Sequence, residues 1–418
     1  MHIYFSGIGG SGISSLALIA LQAGHEVSGS DKQDSEYIHH LRSKGIASVH
    51  IGQSTEGIYA IHTAKPIDWL VYSSAVPKED PNHPELVYAR AAGIKLSKRD
   101  EFLQLLIDEA DQKLIAVAGT HGKTTTTAML IWLFKELGIE ISYSVGSKLS
   151  FGGSGKFVSD SKYFVYEADE YDRNFLSFHP EMSAIPGIDY DHPDIYPSRD
   201  SYNQAFVDFI KQSRNTVLWQ ADAEKVAVSA DDNTSLLADD TDLRHLKLAG
   251  KVNRMNAHLA IVTLEKLGLC EYSAGVDIMN RFPGVSRRFE KITAYLYTDY
   301  AHTPDKIRGA LQLTQEIAGQ DIVVVYEGLH NNRQHFIKDD LAYLFAGVKK
   351  LYIVPSYLAR EDASLELLTP QKLCEIIQEP VNREPAELNE QLKHVIDEHI
   401  TAKDLVLCIS AGGGGSLD

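Results

Sequence analysis

Cysteine is scarce in this chain: Cys270, Cys374 and Cys408 are odd in number and far apart. Neither a disulfide framework nor a zinc site is indicated by that spacing, and a reducing cytoplasm is the expected location. Positive charge is in deficit too, with 40 Lys and Arg against 57 Asp and Glu and a formal net charge of −17. This argues against a nucleic-acid or anionic-membrane surface, which clustered basic residues would have to provide. No apolar run approaches the roughly 20 residues of a membrane span, so no membrane insertion is expected. The early apolar stretch "SSLALIALQAG" lacks a basic leader and follows a strand-like "HIYFSG". It reads as the first helix of a domain, not as a signal peptide. There is no internal repeat and no low-complexity segment.

What is present is an alternation of strand-like and helix-like segments through 418 residues, enough for about two to four domains. "HIYFSGI", "HEVSGSD" and "WLVYSSAV" alternate with helical stretches, a βαβ rhythm that implies a parallel sheet covered by helices. The helix "RDEFLQLLIDEADQK" turns acidic, and a first boundary is placed near Asp108. A second α/β unit opens at "KLIAVAG" and runs through "KYFVYEADEYD", "EMSAIPGIDYD" and "NTVLWQAD". In "SYNQAFVDFI" the residues Tyr202, Phe206, Phe209 and Ile210 fall on one helical face. The polar run "SADDNTSLLADDTD" reads as a surface excursion, and "NRMNAHLAIVTLEKLG" as a helix near the end of the unit. "NRFPGVSRRFEKI" reads as a hinge into a third unit with strands "LYTDYA", "DIVVVYEG", "KKLYIVPS" and "DLVLCIS". The expected fold is therefore α/β in three domains, residues 1–108, 109–282 and 283–418. The glycines of the terminal "ISAGGGGSLD" are assigned no role.

Two segments carry the signature of phosphate binding. The first is Gly7-x-Gly9-x-x-Gly12, between a strand and a helix, with Asp31 after the second strand. Glycines let the backbone approach a diphosphate, and the helix N-terminus adds unpaired N–H groups; an acid at Asp31 suits a ribose. Alone, this pattern supports NAD and a dehydrogenase. The second is "VAGTHGKTTTTAML", in which Lys123 suits β- and γ-phosphates and the Thr124 hydroxyl suits Mg²⁺. Val117 stands where the usual spacing has its first glycine, and Gly119 follows later. Two cradles of different chemistry point to ATP in one and a diphosphate-bearing substrate in the other. A dehydrogenase accounts only for the first, and a plain ATPase only for the second. Glu167, Asp169 and Glu170 in "YEADEYD" fall at the end of a strand, where α/β sheets bind ligands, and Glu167 with Thr124 suits a magnesium shell. "DYDHPDIY" puts His192 at the next strand end as a further metal candidate.

Taken together, these motifs resemble those of the Mur ligases, the ATP-dependent amino-acid ligases of peptidoglycan synthesis. Here the family pattern stands as "GTHGKTTTT", Glu167 to Glu170, Asp191 to Tyr196, Asn253 and Asn256, Gly284 to Glu290, and Asp299 to Pro304. "GIGGSGISSLA", "SSAV", "FLSFHP" and "GVSRRFE" are most similar to the branch that joins L-alanine to UDP-N-acetylmuramate. The resemblance implies a Rossmann-like N-terminal domain for the UDP sugar, a P-loop-type central domain for ATP and Mg²⁺ (Mn²⁺ as substitute), and a Rossmann-like C-terminal domain closing on ATP and amino acid. It implies an acyl phosphate on the muramyl carboxylate, then attack by the amine. Lys123, His192 and Arg288 are the expected catalytic residues, and Thr124, Glu167 and His192 the metal ligands. The nucleotide is expected at Gly119, Thr120, His121, Gly122, Lys123, Thr124, Thr125, Asn253, Asn256, Arg288, Asp299 and His302. The sugar nucleotide is expected at Gly9, Gly10, Ser11, Gly12, Ser30, Asp31, Ser73, Ser74 and Ala75, with Arg333 near the amino-acid carboxylate.

Three positions depart from the family pattern. Phe206 stands where several relatives carry a carbamylated lysine, an absence common in the alanine-adding branch. Val252 replaces the usual histidine before Asn253. Leu329, with His330 beside it, replaces the histidine expected four residues before Arg333, which leaves serine and glycine open beside L-alanine; "EADEYD", shared with a relative that recycles murein tripeptide, keeps that peptide open as well.

Overall fold

Strands read from apolar runs are buried as such runs require. "LIAVA" in Lys113–Ala118 and the whole of Ile322–Leu329 are shielded from solvent, as in parallel sheets covered on both faces. The computed structural model describes residues 1–319, 321–358 and 361–410, with the backbone alone for Ser11. The glycine-rich segment from Ala411 onward and the Ser11 side chain lie outside the described residues. The expected α/β class is observed: three largely parallel sheets, with helices in the crossovers.

The five-stranded first sheet runs Val49–Ile51, Glu26–Asp31, His2–Ser6, Trp69–Tyr72, Lys95–Lys98, all parallel. Its order reverses at His2–Ser6, so the glycine turn that follows sits at a switch point, where open α/β sheets bind ligands. The seven-stranded second sheet runs Thr234–Leu237, Thr216–Trp219, Met182–Ile185, Lys113–Ala118, Tyr163–Ala168, Ser142–Ser144, Gly155–Lys156, and only its last pair is antiparallel. The second glycine loop leaves its central strand, Lys113–Ala118. These two sheets belong to one compact unit, residues Met1–His245 and Asn256–Phe282. One apolar core runs through both, from Phe5 and Phe102 to Phe164 and Phe206. The boundary expected near Asp108 falls within helix Arg99–Glu109, whose Phe102 packs edge-on against Trp69 and Phe5.

The second unit comprises Leu246–Met255 and the chain from Pro283 onward. Its six-stranded sheet places Leu405–Ile409 between Leu296–Asp299 and Ile322–Leu329, followed by Lys350–Tyr357 and Arg383–Pro385. Glu290–Lys291 adds an antiparallel edge.

One segment departs from the sequence reading. Within "SADDNTSLLADDTD", residues Thr234–Leu237 form an edge strand parallel to Thr216–Trp219. The Asp231 carboxylate accepts from the Asn233 and Thr234 amides and starts the strand, so its acids serve a turn. Helix Arg199–Gln212 matches expectation, with a Ser198 capping box and with Tyr202, Phe206, Phe209 and Ile210 buried. Phe206 meets Phe175 edge-on at 5.2 Å and is fully buried. Phe206→Ala is therefore expected to destabilise the chain by about 3–5 kcal/mol, read by chemical denaturation. A loss below about 1 kcal/mol contradicts this packing.

Candidate active site

The loop of the second sheet is shaped by contacts that admit little but glycine. Gly122 has φ 74° and caps helix Lys123–Glu136. A Cβ there would lie 2.8 Å from Asn256 Oδ1 and from Pro186. Thr120 is buried and its hydroxyl donates to the Asp189 carbonyl at 2.6 Å, while His121 Nε2 is 2.9 Å from Asp189 Oδ2. Asn256, 3% exposed, is thus brought to the loop; Thr125 lies half-buried on the first turn of the helix. Asn253 belongs to the other compact unit and donates to the Ala249 carbonyl at 2.9 Å.

Lys123 Nζ donates to the Gly119 carbonyl and to Glu170 Oε2, each at 2.6 Å. Glu170 is 2% exposed and its second oxygen lies 3.6 Å from His192 Nε2. Burial opposes ionisation of Glu170, but Lys123 and His192 outweigh it and hold the carboxyl down at about 2. Burial likewise opposes the charge on Lys123, and Glu170 and Asp169 more than offset it, raising its pKa. Thr124 Oγ1 donates to Glu167 Oε1 at 2.7 Å, and Glu167 Oε2 accepts from the Gly146 amide at 2.7 Å. The hydroxyl and carboxylate oxygens of Thr124 and Glu167 are the hard donor pair that Mg²⁺ takes. His192, with φ 58° and its ring 4.9 Å from that of Tyr171, is brought to Glu170.

The first glycine loop stands at the carboxyl edge of its own sheet. Gly7 and Ile8 both donate to the Ser30 carbonyl, and Ser30 is fully buried beneath the turn. Asp31 Oδ2 accepts from the Gly9 amide at 2.8 Å, so this acid ties the loop to the second strand. Gly10 caps helix Ser11–Gln22 without a side-chain partner. Ser73 lies against Gly7 and its hydroxyl accepts from the Ala75 amide; Ser74 Oγ is 3.4 Å from Asn174 Oδ1.

Sequence reasoning passed over Arg99. It opens helix Arg99–Glu109, directly after strand Lys95–Lys98, again at the carboxyl edge. A Cβ on Gly12 would collide with Arg99 Nη1. Arg99, Gly12 and Ser15 line a cavity of about 220 Å³ together with Lys123, Glu167 and Asp169. Both glycine loops therefore border one cavity. The available signal was a basic residue at a strand-to-helix junction, a position that no motif marks.

In the second unit the strand ends gather another cluster. Asp299 Oδ2 accepts from the Phe289 amide at 2.7 Å, and the guanidinium groups of Arg287 and Arg288 each lie 5.2 Å from the Tyr300 ring centre. Burial raises Asp299 to about 6 against the opposing charges of Arg288 and Lys306. Burial, then Lys306, Arg333 and Arg288, push His302 well below its usual value, leaving a neutral ring whose Nδ1 is 2.8 Å from the Tyr300 carbonyl. Arg288, Asp299, His302 and Arg333 are thus brought together. Leu329 is buried as the last residue of its strand, and His330, with φ 52°, caps helix Asn331–Phe336.

The depressed Glu170 has a stability consequence. Its folded pKa lies below the unfolded value of 4.5, so its stabilisation is full above pH 4.5 and is lost as pH falls towards 2. Glu170→Gln is expected to be less stable at pH 7 by on the order of 2–3 kcal/mol, and less acid-sensitive across that window. Parallel wild-type and variant denaturation curves would refute the ion-pair account.

Family profiles match in chain order: "Mur ligase family, catalytic domain" over residues 2–110, "Mur ligase middle domain" over 117–241, and "Mur ligase, glutamate ligase domain" over 287–412. A UDP-N-acetylmuramate–L-alanine ligase of Clostridium acetobutylicum is 30% identical, the alignment covering 98% of this chain and 95% of that one. A ligase of the same name from Clavibacter sepedonicus is 32% identical over 86% of this chain and 80% of its own. The crystal structure of the UDP-N-acetylmuramate–alanine ligase of Thermotoga maritima has the same fold, with a TM-score of 0.78, 23% identity and coverage of 99% and 96%. That of a murein peptide ligase from Psychrobacter arcticus follows with a TM-score of 0.64, 22% identity and coverage of 99% and 96%. With likeness over essentially its full length and all three family profiles in order, this chain belongs to the Mur ligase family.

Proposed function

We propose that this protein joins L-alanine to the carboxylate of UDP-N-acetylmuramate at the expense of ATP, in the cytoplasm of a bacterium building peptidoglycan. The observation that carries the reading is the cavity bordered by Gly12 and Ser15 on the helix that follows the first loop, Lys123 at the start of the helix that follows the second, and Glu167 on strand Tyr163–Ala168. The sugar diphosphate is assigned to the first loop at Gly9, Gly10, Ser11 and Gly12, with Ser73, Ser74 and Ala75 beside it and Ser30 and Asp31 supporting the turn. ATP is assigned to Gly119 through Thr125, with Asn256 and Asn253 toward the base.

A carboxylate is a poor electrophile until an oxygen carries a good leaving group. In the first step a carboxylate oxygen attacks the γ-phosphorus, its P–O bond to ADP breaks, and an acyl phosphate forms. Attacker and target are both anionic. Lys123 offsets that repulsion across the transferring phosphoryl group, and Glu170 and the Gly119 carbonyl hold the ammonium in line beforehand. Thr124, Glu167 and His192 are assigned to Mg²⁺, which when bound supplies further positive charge to the phosphate oxygens. In the second step the alanine amine attacks the acyl carbon and inorganic phosphate leaves. Arg288, Asp299 and His302 are assigned to the nucleotide, and Arg333 to the amino-acid carboxylate. With the His302 ring neutral, Arg288, Arg333 and Lys306 are the cations that act on that cluster.

Phosphate release tests the assignment. With ATP, Mg²⁺ and UDP-N-acetylmuramate, L-alanine is expected to give the fastest turnover among alanine, serine, glycine and a murein tripeptide. Lys123→Ala is expected to lower turnover at least about 100-fold while sugar-nucleotide binding persists. ATP turnover independent of both other substrates, or preference for the tripeptide, would contradict the proposal.

A further inference from the structure

Arg99 is fixed by an arrangement more elaborate than a tie between sheets requires. Its Nε donates to Asp100 Oδ2 at 3.1 Å and its Nη2 to Asp169 Oδ2 at 2.9 Å. Asp100 is fully buried and its other oxygen accepts from the Tyr166 hydroxyl at 2.7 Å. The guanidinium plane is therefore locked from two directions, and Nη1 is turned to the first glycine loop, where only glycine leaves it room. A lysine could not be held this way, because it has one nitrogen and no planar fork.

The charged residues that line the cavity are two cations and two carboxylates, Glu167 and Asp169, the latter already bonded to Arg99. The cations are Arg99 and Lys123. Lys123 is committed to Glu170 and to the phosphate side, and Glu167 to Thr124. Arg99 is the cation adjoining the sugar-nucleotide loop. We propose that Arg99 is a substrate-binding residue that reads the carboxylate of the sugar nucleotide, pairing through Nη1 and holding the acid in the cavity facing the phosphoryl group. Asp100, Tyr166 and Asp169 are its positioning residues. The inference rests on the ligase reading above and adds the group that distinguishes the acid from its neutral parent sugar.

The test compares two ligands on the full-length protein by calorimetry: UDP-N-acetylmuramate, and UDP-N-acetylglucosamine, which lacks the lactyl acid. Arg99→Gln is expected to weaken the first by about 10–100-fold, the range for a hydrogen bond between charged groups, and to leave the second within about twofold. Equal loss for both ligands, or none for the acid, overturns the proposal and leaves Arg99 a strut. Should Arg99→Gln fail to fold by circular dichroism, Arg99→Lys takes its place. It keeps charge without the fork, and is expected to weaken the acid alone, by less; equal losses again overturn it. A wild-type protein that binds neither compound overturns this proposal and the ligase reading together.

Discussion

Keeping buried charges paired in a chain of net charge −17 is the constraint on which the rest of this structure depends. The solution is local. The Lys123 ammonium is locked between a carbonyl and a carboxylate 2.6 Å away, and Thr124 is already bonded to Glu167. Lys123 and Thr124 are thus each set in place by a carboxylate at the end of the neighbouring strand. Burial makes each of these pairs sensitive to loss of its partner, since an isolated charge inside the protein is far costlier than the pair.

The fold supplies the geometry for this. Two parallel sheets each reverse strand order at the strand that feeds a glycine loop, and one apolar core runs through both. A shared core fixes the loops against each other more rigidly than a linker would. That is why Arg99, on a helix that follows the first sheet, can bond to Asp169 at the end of a strand of the second. Two residues that depart from expected motifs, Val117 from the general phosphate-loop spacing and Phe206 from the lysine of several relatives, are absorbed by packing. Val117 is a fully buried strand residue, so the loop begins at Gly119, and Phe206 is sealed among Phe175 and Tyr202.

Much of this was legible in the sequence, because its signals are local. A glycine loop between strand and helix, and acids at a strand end, declare themselves within a dozen residues, as at Lys123, Thr124 and Glu167. What escaped depends on tertiary pairing. Thr234–Leu237 is a four-residue edge strand amid acids that belong to its turn. Ser142–Ser144 and Gly155–Lys156 lack the β-branched residues that mark strands. Glu170 looked like one more acid of a metal cluster, yet its contacts are Lys123 and His192. Arg99 matters through residues dozens of positions away, a relation no spacing rule encodes. Conversely, Asn253 and Asn256 looked like one motif in sequence, yet they fall in different compact units.

The central claim is that the acid is phosphorylated before the amine attacks. It is tested most directly by labelling both carboxylate oxygens of UDP-N-acetylmuramate with ¹⁸O and analysing the inorganic phosphate released with L-alanine by mass spectrometry. An acyl phosphate transfers one labelled oxygen to each phosphate formed; unlabelled phosphate from a productive turnover would contradict the account.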